Sequence, residues 1–173
     1  MYDKLLDEAL EKGLTVIEKY PFDSPRIRGL CCDDTIAISE QVETEAERTV
    51  ILCEEIAHAA HSVGDILQDP RMERRVRERT FDRLISTEGL VRAHLSGCRT
   101  AWEFAEWFGV PEHFFCTAVE NYRERYGVLT YTAVDGINYA VTLIPTLRIR
   151  RLRAKRGGRL THAATPIEHN EEA

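Results

Sequence analysis

Residues 44–58 read TEAERTVILCEEIAH, from Thr44 to His58, and the fold of this chain turns on them. Thr44 and Glu47 stand in capping-box order, so a helix is expected to begin there and run to Ser62. Gly64 and then Pro70 supply the stop. On that helix Glu54, His58 and His61 fall at i, i+4 and i+7, and so share one face. Glu55 lies about 100° further round.

Outward from this helix the pattern reads as short elements. Apolar residues at Leu5, Leu6, Ala9 and Leu10 predict a helix over 3–12, closed by Gly13. Residues 14–18 are short and β-branched and predict a strand, ended by Pro21, Ser24 and Pro25. Strands over 28–32 and 35–39 flank Asp33-Asp34 as a hairpin. Past Pro70, Met72, Val76, Thr80 and Leu84 form one stripe of a helix over 71–85, with arginines on its other face. Three short helices are expected next, over 87–96, 100–108 and 111–126. Thr100 and Glu103 make a second capping box, and Pro111 suits a first helical position. The tight Phe108-Gly109-Val110 turn makes the last two resemble a helix-turn-helix unit. Strands over 128–134 and 138–144 then flank Asp135-Gly136, a strong hairpin signal. Strands, helices and strands in that order predict an α+β fold, with a small mixed sheet packed on the motif helix. The chain divides into a core over 1–86, a helical extension over 87–127, a hairpin and basic segment over 128–160, and a polar tail over 161–173 expected to be disordered.

The chain has 173 residues, 43% of them hydrophobic and 30% charged, which is enough for one domain with a real core. No apolar run approaches the roughly 18 residues that span a bilayer. The start, acidic and amphipathic, does not read as a signal peptide. Five cysteines without framework spacing predict reduced thiols and a cytoplasmic location. The net charge of −6 hides a basic run: Arg148, Arg150, Arg151, Arg153, Lys155, Arg156 and Arg159. Because the rest of the domain is acidic and repels phosphate, that run reads as a solvated strand and tail, and nucleic acid is not the expected partner.

Glu54-Glu55-Ile56-Ala57-His58 is one residue from H-E-x-x-H, with Glu54 at the first ligand position. In that pattern the residues at i and i+4 hold a metal, and the intervening glutamate takes a proton from water. Glutamate is itself a zinc ligand. A further ligand must come from elsewhere, and Asp65, just past the helix, and Glu73, at the start of the next one, are the candidates; Glu78 and Asp82 are weaker choices. Two glutamates and a histidine also suit an ordinary charged helix face. His61 reads best as an exposed or capping histidine, and Cys53 as a small core residue.

With the downstream segments included, the chain resembles the ImmA/IrrE family of metallo-endopeptidases. The likeness lies in residues 44–58, in Gly64-Asp65, in the helix opening at Glu73, and in the aromatic stretch from Trp102 to Tyr126. It is nearest the branch carried on phages and integrative elements, whose members often have glutamate at the first motif position. The resemblance spans about residues 14–127. It implies a zinc-dependent peptidase (manganese or iron as alternatives) that cleaves a helix-turn-helix repressor. Carried over by position, Glu54 and His58 would hold the metal, Glu73 or Asp65 would complete the set, and Glu55 would be the general base. A repressor-binding module without chemistry is the alternative, and DNA binding through the helical unit and arginine run is a second.

Overall fold

The helix at the centre of the molecule starts where its capping box predicts. The hydroxyl of Thr44 accepts from the Glu47 amide at 3.2 Å, and the Glu47 carboxylate accepts from the Thr44 amide at 3.5 Å. The computed structural model describes residues 1–60, 70–143 and 147–152. Among these the order is α1 (Tyr2–Glu11), β1 (Thr15–Tyr20), β2 (Gly29–Cys32), β3 (Thr35–Ser39), α2 (Glu45–Ala59), α3 (Pro70–Leu84), α4 (Thr87–Leu95), α5 (Ala101–Phe108), α6 (Glu112–Tyr126), β4 (Leu129–Val134), β5 (Ile137–Thr142) and β6 (Arg148–Arg151). The expected end of α2 near Ser62, its stop at Gly64, His61 and Asp65 lie outside the described residues. So do the basic run beyond Leu152 and the tail over 161–173.

The fold is α+β with two small sheets. The first is mixed, in the order β1-β3-β2, with β1 parallel and β2 antiparallel to the central β3. Val16, Ile36 and Cys31 stand in one row across it, and Gly29 lies opposite Ile38. These residues share the face that packs on α2, because successive side chains alternate across a strand. Thr49, Val50, Ile51, Leu52, Cys53 and Ile56 of α2 are buried. Burial on nearly every side follows from the position of α2, with α1 and α3 beside it and the sheet against it.

One hydrophobic cluster runs from Tyr2 to Ile149 and includes Phe104, Phe108, Phe114 and Phe115 of the helical stretch. The rings of Phe81 on α3 and Phe114 on α6 meet at 5.1 Å, and Arg125 on α6 makes paired bonds of 2.9 and 3.0 Å to Asp82. The Tyr122 hydroxyl, buried, donates to the Ile85 carbonyl. The α5–α6 corner has Gly109 at φ 67°, the left-handed region where a side chain is strained. Pro111 is the N-cap of α6, one position before the helix.

The second sheet differs from the expected hairpin by one strand. Its order is β4-β5-β6, and the first part of the basic run, Arg148–Arg151, is its third strand. Ile149 is the reason: it lies opposite Val141 and is 8% exposed, so burying that one side chain ties the arginines to the sheet. Asp135 and Gly136, at φ 51° and 75°, close the β4–β5 turn.

Candidate metal centre

Consecutive positions on α2 send the two glutamates to different neighbours. Glu55 faces β2, where a Cβ built on Gly29 would stand 2.9 Å from its Oε1 and 2.4 Å from Ile51 Cγ2. Only glycine lets the strand lie this close, and the contact leaves the Glu55 side chain half-buried. Glu54 and His58, one turn apart, face α3. The Nε2 of His58 is 3.9 Å from Oε1 of Glu73, and Glu73 also acts on Glu54 through its charge. The helix α3 packs against α2 and brings Glu73 to the face of the motif.

The electrostatics follow from this packing. Burial first, and then the charge of Glu54, push the Glu55 carboxyl up to about 7; a backbone hydrogen bond from Cys31 pulls the other way, and Glu73 adds a smaller upward push. Glu54 is raised too, chiefly by burial, with Arg77 opposing and Glu73 reinforcing. Two neighbouring half-buried carboxylates, only partly compensated, each hold a proton more tightly than an exposed one does. Cys53 is 1% exposed, and its thiol is pushed up to about 12 by burial, so it is an inert core group. All five cysteines are free.

Of the residues expected from the sequence, Glu54, Glu55, His58 and Glu73 gather at the α2–α3–β2 junction. Asp65 lies outside the described residues. Glu78 and Asp82 are engaged elsewhere, with Arg74 at 2.9 Å and Arg125 at 2.9 Å respectively. Among the described residues, no group of three or more His, Cys, Asp or Glu side chains stands in ligating geometry. The donor chemistry nevertheless fits a divalent ion. Ligands about 2.1 Å from a tetrahedral zinc lie about 3.4 Å apart, so the 3.9 Å between His58 and Glu73 closes with a small side-chain movement. A cation there would also offset the crowded negative charge.

Three contributors have weaker or no local signals. A glycine inside a strand is a signal of close backbone approach, and Gly29 carries it. Cys31 acts through its backbone and Arg77 through a helix packing no local pattern encodes. Beside Glu73, a cleft of about 500 Å³ is lined by Pro70, Glu73, Arg74, Arg77, Glu78 and Asn121. The Oδ1 of Asn121 is buried and has no hydrogen-bond partner among the described residues.

Among the described residues no helix is long and apolar enough to cross a membrane. No protein-family model, curated protein or solved structure matches the chain.

Proposed function

We propose that the chain is a metal-dependent endopeptidase of the ImmA/IrrE kind, acting on a helix-turn-helix repressor. The observation that carries this reading is Glu55. Its carboxyl is raised to about 7 one turn before His58, which in turn approaches Glu73 on the neighbouring helix. A base with that affinity holds and releases a proton near neutrality, which is what general acid–base catalysis at an amide needs.

His58, Glu73 and Glu54 are the residues that would hold the ion, with Asp65 as a rival to Glu73. A divalent ion bound there supplies polarisation of a carbonyl and a more acidic water. Glu55 takes the proton from water as its oxygen attacks the scissile carbonyl carbon. The same carboxyl then returns the proton to the departing amine. Of the proposed site residues only Glu73 lines the neighbouring cleft of about 500 Å³. Arg77 moderates the negative charge beside Glu54.

Equilibrium dialysis against Zn²⁺, Mn²⁺ and Fe²⁺ tests the ion. About one equivalent is expected in the native protein, with uptake weakened by His58→Ala and by Glu73→Ala. No uptake of any of the three would sink the peptidase reading. Co-expression with a repressor encoded by a neighbouring gene tests the chemistry. Repressor cleavage is expected and should disappear in Glu55→Gln while metal content persists. Glu54 in place of a histidine favours a second reading, a module that binds the repressor without cutting it. A stable complex with intact repressor and no metal is its signature.

A further inference from the structure

The second sheet separates its two faces by chemistry. Its register places Thr130, Val141 and Ile149 in one row, on the side covered by α4 and α6. On the opposite side Tyr131, Ala140 and Arg150 form a row, and Leu129, Thr142 and Arg148 form the next. Tyr131 is 53% exposed and Leu129 43%, and both arginines are exposed. Ala140, the shortest side chain of its row, lies between the tyrosine and the arginine. Two strand spacings separate the flanking backbones, about 9.6 Å. Ala140 itself is 8% exposed, so the ring and the guanidinium flank a covered central strand.

Among the described residues Arg148, Arg150 and Arg151 form no ion pair, although carboxylates pair with Arg28, Arg74, Arg83, Arg92 and Arg125 elsewhere. Asp135, the acid at the end of the β4–β5 hairpin, is already engaged by Arg92 at 3.1 Å. In the sequence the positive charge continues past β6 through Arg153, Lys155, Arg156 and Arg159, with no acid between Arg148 and Arg159. Overall acidity therefore says little about this face, because the fold segregates charge that the composition averages.

We propose that the outer face of the β4-β5-β6 sheet binds single-stranded nucleic acid, Tyr131 stacking on a base while Arg148 and Arg150 take the adjoining phosphates. Unstacked bases need an exposed ring, and the backbone needs cations interleaved with it at a spacing of a few ångströms. A duplex hides its bases from such a ring. An anionic bilayer instead calls for a continuous apolar band able to enter the acyl region. Here Leu129 and Tyr131 of β4 stand opposite Arg148 and Arg150 two strands away, so cations interrupt the apolar surface. The α5–α6 unit does not supply the surface, because Glu112, Glu120 and Glu124 on α6 repel phosphate. The proposal is independent of any chemistry at Glu55.

Fluorescence anisotropy of a labelled oligothymidylate about 20 nucleotides long, titrated with the full chain at low salt, tests the proposal. Tyr131→Ala should weaken binding roughly five- to hundredfold. The pair Arg148→Gln and Arg150→Gln should reduce the slope of log K against log salt by about 1.4, at about 0.7 for each phosphate no longer neutralised. All three side chains are accessible at the surface, and unchanged thermal melting will verify that the variants fold. Absence of binding by the native chain overturns the proposal. So does binding that neither variant alters, which would assign it to residues beyond β6. Tighter binding to a duplex of the same length, or to phosphatidylserine vesicles, with Tyr131→Ala without effect, also overturns it.

Discussion

Replacing Glu55 by glutamine should make the protein more stable, and more so as the pH rises. Burial and the neighbouring Glu54 raise the Glu55 carboxyl from an ordinary 4.5 to about 7. Between those values the folded state keeps a proton that the unfolded chain has released. Stability therefore falls as pH climbs from about 4.5 to 7 and then levels off. At about 1.4 kcal/mol per pH unit, the loss from this one group is about 3 kcal/mol, a sizeable part of a total of roughly 5–15 kcal/mol. Glutamine keeps the shape and carries no charge. The gain from Glu55→Gln at about pH 8 should thus exceed its effect at about pH 4.5 by about 3 kcal/mol. Urea unfolding followed by circular dichroism at both pH values, with chelator present, measures the difference. For a chain of this size the same effect appears as a rise in Tm of about 6–12 °C at the higher pH. Equal effects at the two pH values would refute the reasoning, because they would mean that Glu55 is ionised in the folded protein at no cost. A fall in stability on adding Zn²⁺ to the native protein at pH 8 would contradict it from the other side.

Gly29→Ala should destabilise by about 1–3 kcal/mol in chemical denaturation, since its Cβ would stand 2.4 Å from Ile51 Cγ2 and β2 must move off α2. The same variant should lower the Glu55 titration midpoint toward the ordinary range, as followed by carbon-detected NMR, because the strand that excludes water has shifted. Tyr122→Phe removes the hydroxyl that serves the Ile85 carbonyl and should cost about 1–3 kcal/mol in thermal or urea unfolding. A cost near zero would show that the carbonyl finds another donor.

Much of the secondary structure was legible because its causes are local. Thr44 with Glu47 and Thr100 with Glu103 mark helix starts within four residues, and the hairpin turns at Asp33-Asp34 and Asp135-Gly136 are as short. The helical spacing likewise put Glu54 and His58 on one face and Glu55 on another. The sequence by itself thus determined the helices, most of the strands, and the side chains gathered along α2. Tertiary structure decided what surrounds them. No local pattern encodes the insertion of β3 between β1 and β2, nor the approach of Gly29 that half-buries Glu55. The union of the helical stretch with the core through Phe81 and Phe114 is equally non-local. The sorting of Tyr131, Arg148 and Arg150 onto one face needed the pairing of three strands, two of them separated by β5. Sequence spacing fixes direction around an element, whereas burial, proton affinity and the charge of a surface depend on which distant segment comes to lie against it.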